Sequence, residues 1–338
     1  MKTRNQLLLL GFLFAFLFVT SCNKDDDDDP VPAVVESEVL VKYLESTSSP
    51  LGKDYVSTDL PSIMAASEVK TMNELGQVYI IDIRSATDFD LGHIENAKNV
   101  ALGDILTHIE GVDLAPYQKV AIVCYTGQTA GFATSLLRLM GYDKVFSMKW
   151  GMCSWHADFS SRWDNAIANG NTYATQFTAT PTDKGPKGSM PTINTGKTTG
   201  QEILEARVDA LLAEGFSPAT VTNATVFGNL SGYYIVNYWP ETHYTNPGHI
   251  PGAMQYTPKT SLGFETDLKT LPTDKPVVVY CYTGQTSAFM AAYLRLLGYD
   301  AKTLLYGANG MIYDLMFNGG LTVWKADQIM GYDYVVTK

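Results

Sequence analysis

The chain is poor in the residues from which most metal, redox and nucleic-acid sites are built. Four cysteines and five histidines are spread over 338 residues. No two cysteines stand at metal-site spacing, which excludes a zinc module. With Cys22 set aside, Cys124, Cys153 and Cys281 remain, an odd number for a disulfide framework. These thiols therefore read as chemical rather than structural. Basic residues are scarce too: 24 Lys and Arg face 35 Asp and Glu, for a net charge of −11. Such a chain has no basic, aromatic-studded patch and is a poor partner for nucleic acid. Long apolar runs are also missing. The one extended run, Leu7–Val19, has 13 residues, short of the roughly 20 that span a bilayer.

That run has a different reading. Lys2 and Arg4 give it a basic start, and it ends at Val19-Thr20-Ser21-Cys22. The pattern resembles the lipobox of bacterial lipoproteins, with Val where Leu is commoner. The resemblance implies that residues 1–21 are a removed signal and that acyl chains on Cys22 tie the protein to a membrane. Losing Lys2 and Arg4 would take the charge from −11 to −13. Asp25–Asp29, followed by Pro30 and Pro32, reads as a solvated, self-repelling tether. An acidic run just after the lipidated cysteine also resembles a signal that sends Gram-negative lipoproteins to the outer cell surface. The expected location is the bacterial cell envelope, lipid-anchored, at the outer membrane, with surface exposure as the further reading.

Past the tether the chain is duplicated. Cys-Tyr-Thr-Gly-Gln-Thr occurs at Cys124–Thr129 and again at Cys281–Thr286, 157 residues on, and 13 of 20 positions match through Asp143 and Asp300. A repeat of this length is a duplicated domain. Each copy follows an apolar, β-branched run, Val120–Val123 or Val277–Tyr280, and precedes a helix-like stretch ending at Gly-Tyr. Each cysteine thus stands where a buried strand turns into a helix, a place where backbone N–H groups and the helix dipole hold anions. A thiol there is expected to ionise more easily than a free one. Gly127 and Gly284 let the loops curl tightly.

The expected organisation is residues 22–55 as lipidated Cys, tether and short helix (over 34–45), domain one over 56–165, a Thr-, Gly- and Pro-rich linker over 166–200, and domain two with a C-terminal tail over 201–338. Strands are expected at Tyr79–Ile83, Val120–Val123, Lys144–Met148, Tyr233–Asn237, Val277–Tyr280 and Thr303–Tyr306. Helices are expected over Gly131–Met140 and Gln201–Ala213, and a short helix or turn over Ala86–Leu91. Uncharged strands alternating with helices argue for an open α/β sheet covered on both faces.

A second landmark is also duplicated. His93 of Gly92-His-Ile-Glu-Asn-Ala97 lies 31 residues before Cys124, and His249 of Gly248-His-Ile-Pro-Gly-Ala253 lies 32 before Cys281. Ahead of the first stands Asp82-Ile83-Arg84. In the order Asp-x-Arg, Gly-His-Ile-x-x-Ala, Cys-x-x-Gly-x-Thr the chain resembles the rhodanese family, over about 90 residues in each half. The resemblance implies two tandem doubly wound α/β domains with parallel sheets. It also implies sulfurtransferase chemistry through a cysteine persulfide, with Cys124 and Cys281 catalytic and no cofactor or metal. Its partners would be a small sulfur donor and a thiol or cyanide-like acceptor.

The sulfur-wrapping loops are then Tyr125, Thr126, Gly127, Gln128, Thr129 and Ala130, and Tyr282, Thr283, Gly284, Gln285, Thr286 and Ser287. Related phosphatases carry Arg six residues after the Cys to clamp phosphate. Ala130 and Ser287 stand there instead, and neither loop holds Lys or Arg, so phosphatase chemistry is not expected. Thiosulfate finds no cation in the loops, and a persulfide or polysulfide fits at least as well. Asp82, Arg84, His93 and His249 read as supports. Domain two lacks the Asp–Arg pair, having Asn237 and Trp239. Cys153, just past a strand whose end shares the site's edge, is either a core thiol or one that resolves Cys124 as a disulfide. Trp150, Trp155 and Trp163 read as core. The rival to an enzyme is a non-catalytic surface module that binds a partner or senses thiol oxidation.

Overall fold

The computed structural model describes residues 35–337. The apolar run, Cys22 and the acidic stretch lie outside these residues. The described residues form one compact unit built on two five-stranded sheets. In chain order the first holds β1 (Ile63–Met64), β2 (Val78–Asp82), β3 (Lys98–Asn99), β4 (Lys119–Val123) and β5 (Val145–Met148). The second holds β6 (Thr220–Val221), β7 (Tyr234–Asn237), β8 (Met254–Gln255), β9 (Val277–Tyr280) and β10 (Ala301–Leu304). The strand orders are β1-β5-β4-β2-β3 and β6-β10-β9-β7-β8, one topology used twice. Every pairing is parallel. This is the tandem, doubly wound α/β architecture expected from the repeat.

Side-chain alternation along the central strands explains how the sheets share a core. Val120, Ile122, Val277 and Val279 enter one large cluster common to both halves. Their neighbours Ala121 and Val123, or Val278 and Tyr280, point to private outer clusters. Between the sheets lie the helices Gln128–Leu139 and Gln285–Leu296, apolar nearly all round because they are covered nearly all round. A Cβ on Gly131 would come within 3.1 Å of the Phe289 ring, and Ser135 Oγ donates to the Phe289 carbonyl at 2.9 Å.

Two boundaries differ from expectation for one reason, a residue in the left-handed region. The first loop helix begins at Gln128, three residues early, because Gly127 (φ 82°) caps it. The last strand ends at Leu304 because Tyr306 takes φ 62°. The four edge strands, each of two residues, carry too little pattern to be read from sequence.

The segments after each domain cross over. Thr178, in the stretch after domain one, makes an antiparallel bridge to His249 of domain two. Val335, in the tail after domain two, makes the matching bridge to His93 of domain one. Each half is thus strapped by the other's exit.

Candidate active site

Both cysteines sit just past the central strand of a sheet, ahead of a loop helix. Gly127 (φ 82°) and Gly284 (φ 75°) turn the loops so that N–H groups face the sulfur. Cys124 Sγ accepts from Gly127 N at 3.2 Å and Ala130 N at 3.3 Å. Cys281 Sγ accepts from Ser287 N at 3.4 Å. Both thiols are nearly enclosed, 5% and 3% exposed. The expected easy ionisation does not hold for resting Cys124. Burial pushes its thiol up more than the N–H groups of Ala130, Thr126 and Gly127 pull it down, and the Asp82 charge pushes the same way as burial. Partial charges in a dry site do not outweigh the cost of an anion there.

The loops are alike but their floors are not. In domain two the Cys281 thiol lies 3.5 Å from Ser287 Oγ. Ser287 Oγ is 2.7 Å from Thr303 Oγ1, which donates to the Gly284 carbonyl at 3.2 Å. Domain one has Ala130 in place of Ser287, and Ser147, at the strand position of Thr303, has a buried hydroxyl with no partner.

The rims differ more. In domain one Arg84 grips Asp82, Nε to both carboxylate oxygens (3.0 and 3.1 Å) and Nη2 to Oδ2 (2.6 Å), and Nη2 also donates to the Gly92 carbonyl. Its Nη1 is buried without a partner. Two guanidiniums lie over the Tyr125 ring, Arg84 at 5.1 Å and Arg162 at 3.8 Å from its centre, and the Tyr125 hydroxyl donates to Asp88 at 2.6 Å. Arg162 had no signal in the sequence; only the packing of the helix Ser161–Ala168 brings it here. In domain two Asn237 donates to the Tyr280 hydroxyl at 2.7 Å, and that oxygen accepts from Ile250 N. A neutral chain thus ties the strand to the Gly-His-Ile turn where domain one uses an ion pair. Trp239 stacks on Tyr282 at 5.0 Å, and His243 reaches the Tyr282 hydroxyl.

Cys153 stands where domain two has Asn309. The N–H groups of Cys153 and Asn309 donate to the carbonyls of Tyr125 and Tyr282, each at 3.1 Å. The Trp163 ring packs edge-on against Tyr306 as the Trp324 ring packs against Trp150. By that correspondence Val323 takes the place of Arg162. Cys153 is fully buried, donates to the Phe159 carbonyl at 3.0 Å, and is pushed up to about 12 by burial. Cys124, Cys153 and Cys281 are all free thiols. Trp150, Trp155 and Trp163 are buried.

The histidines brace turns. His93 Nδ1 is 2.8 Å from the Phe89 carbonyl, with the ring stacked on Phe89. His249 Nδ1 is 2.8 Å from the Tyr244 carbonyl and stacks on Tyr244; burial lowers its pKa. Thr126 and Thr283 bond within their loops, while Thr129 and Thr286 are half-buried. The loop glutamines leave their own domain. Gln128 Oε1 accepts from Tyr306 N at 2.8 Å, and Gln285 Oε1 from Trp150 N at 2.9 Å. Among the described residues no group of three His, Cys, Asp or Glu side chains could hold a metal ion.

The thiosulfate sulfurtransferase GlpE of Shewanella oneidensis is 30% identical over 93 residues, 28% of this chain and 90% of that protein. GlpE of Vibrio cholerae is 29% identical over 87 residues, 26% and 80% of the two chains. Among solved structures, SseA of Escherichia coli, described with the fold and mechanism of 3-mercaptopyruvate sulfotransferases, is 17% identical at TM-score 0.27, covering 72% of this chain and 97% of that one. The human single-domain sulfurtransferase TSTD1 is 19% identical at TM-score 0.23, covering 26% and 88%. The rhodanese-like domain model matches twice, at residues 65–158 and 233–327, and with more than half of its length so accounted for the chain belongs to the rhodanese-like family as a tandem-domain member.

Proposed function

We propose that the protein is a sulfurtransferase that carries sulfane sulfur as a persulfide on Cys124 and on Cys281. The observation that carries this reading is the pair of loops, each aiming backbone N–H groups at one cysteine sulfur. The thiolate attacks the outer sulfur of the donor, thiosulfate or a persulfide. The donor's S–S bond breaks, sulfite or a thiolate leaves with the electron pair, and Cys–S–S⁻ remains. An acceptor thiolate or cyanide then attacks the terminal sulfur, departs with it and restores the cysteine thiolate. The loop N–H groups face the sulfur on which each step leaves a negative charge.

Intact mass spectrometry after mixing with thiosulfate or a persulfide tests the reading. A gain of about 32 Da per active cysteine is expected. Unchanged mass with every donor would leave the non-catalytic module as the better account. The anchor is a further proposal: Val19-Thr20-Ser21-Cys22 makes Cys22 an acylation site in the cell envelope. Cys22→Ser should release the protein from membranes or block its processing. An unchanged membrane fraction with the signal still removed would refute it.

A further inference from the structure

Resting on that function, we propose that the two sulfurs serve different donor classes: Cys124 takes sulfur from sulfonate-type anions such as thiosulfate, and Cys281 from persulfides whose organic part is apolar or aromatic.

The six residues from Cys to Thr are identical in the two loops, so selectivity comes from what surrounds them. At Cys124 the acceptors are filled and donors are left over. Asp82 is saturated by the Arg84 side chain and the Arg84 N–H. Asp88 is taken by Ser85 and the Tyr125 hydroxyl. What remains is Arg84 Nη1, buried and unpartnered, and the exposed Arg162 guanidinium, which lies over the Tyr125 ring. Two guanidiniums over the tyrosine next to the nucleophile suit the planar donor fork to an oxyanion, and they offset the repulsion a dianion would meet from Asp82 and Asp88.

At Cys281 both cations are gone. Trp239 replaces Arg84 and Val323 replaces Arg162. Trp239 stacks on Tyr282, and the ionisable group at the rim is His243. A sulfonate there would lose water and meet no fixed positive charge. An apolar thiol tail would meet a π surface. The chemistry itself is the same at both sites: the cysteine thiolate attacks the outer sulfur, and sulfite or RS⁻ leaves.

The test uses the full chain as Cys124→Ser and Cys281→Ser single variants, each with one working site. Loading rates are read by intact mass with thiosulfate and with benzyl persulfide. The thiosulfate-to-benzyl ratio should be at least about tenfold higher when Cys124 is the remaining site. Arg162→Val, which copies domain two on an exposed side chain, should cut thiosulfate loading at Cys124 about fivefold and leave benzyl persulfide loading within about twofold. Thiosulfate loading at Cys124 should also weaken as salt is raised through the physiological range. Ratios agreeing within about twofold at the two sites, or an Arg162→Val effect equal for both donors, would overturn the inference. Failure of both variants to load from either donor would instead overturn the sulfurtransferase reading.

Discussion

Single side chains make the two sulfurs inequivalent. At Cys281 the thiol, Ser287, Thr303 and the Gly284 carbonyl form one chain of contacts. When the proton leaves, Ser287 Oγ can turn and donate to the sulfur anion. A hydrogen bond to a charged group contributes about 1.5–3 kcal/mol, so Ser287→Ala should slow loading at Cys281 by roughly tenfold or more. Ala130→Ser places a hydroxyl beside Cys124 with the unpartnered Ser147 waiting, and should speed loading there. Rates unchanged in both variants would refute a role for the hydroxyl. Cys124 carries its own pH signature. With its thiol raised by burial, it is protonated through neutral pH, and the reactive thiolate grows only as pH passes its raised pKa. Alkylation of Cys124 in the Cys281→Ser variant should therefore still be climbing above the ordinary thiol value of about 8.5. A midpoint below that value would restore the expectation drawn from the loop alone. The sequence identified the loop and its N–H groups, but not how nearly the fold encloses the sulfur.

At the scale of elements, the two loops and their helices form a cross-braced pair. Each loop glutamine accepts from a backbone N–H in the other domain, at Trp150 or Tyr306. Both donor residues have positive φ (64° and 62°) and lead into a glycine packed on the Cys loop of their own domain; a Cβ on Gly151 would collide with the Cys124 carbonyl, and one on Gly307 with that of Cys281. The effect of losing a glutamine should thus appear in trans. Gln285→Leu should loosen the Cys124 site and Gln128→Leu the Cys281 site, each costing about 1–3 kcal/mol for the buried N–H left unpaired. Separate loading rates for the two cysteines in each variant would decide it, and effects confined to the mutated loop's own cysteine would be contrary. The duplicated motif made the loops, central strands and helices legible, because strand periodicity and Gly127 act within a few residues. The glutamine exchange and Arg162 were not, because both arise from packing between segments with no local pattern.

Over the whole molecule the exits bind the halves into one unit. The tail after domain two bonds to domain one from Met330 to Thr337. Met330 N and Tyr332 N donate to the carbonyls of Ser154 and Trp155, Trp155 Nε1 donates to the Asp333 carbonyl, and Val335 exchanges two hydrogen bonds with His93. Tyr332 packs on Trp155, and Tyr334 on Phe159. Phe159 in turn lies 5.5 Å from the Arg84 guanidinium, so the tail backs the wall of the Cys124 site. Composition marks a Thr-, Gly- and Pro-rich linker over 166–200, but nothing in Tyr332–Val335 names the partner of a tail that returns to the first domain. Truncation after Gln328 should therefore damage the domain to which the tail does not belong in sequence. It removes several hydrogen bonds and three aromatic contacts, worth a few kcal/mol together. Amide exchange should quicken around His93 and Trp155, and loading should fall at Cys124 while Cys281 keeps its rate within about twofold. If Cys281 loses activity instead, or both sites fail together, the tail stabilises its own domain or the unit as a whole, and the strap has no specific bearing on the first site.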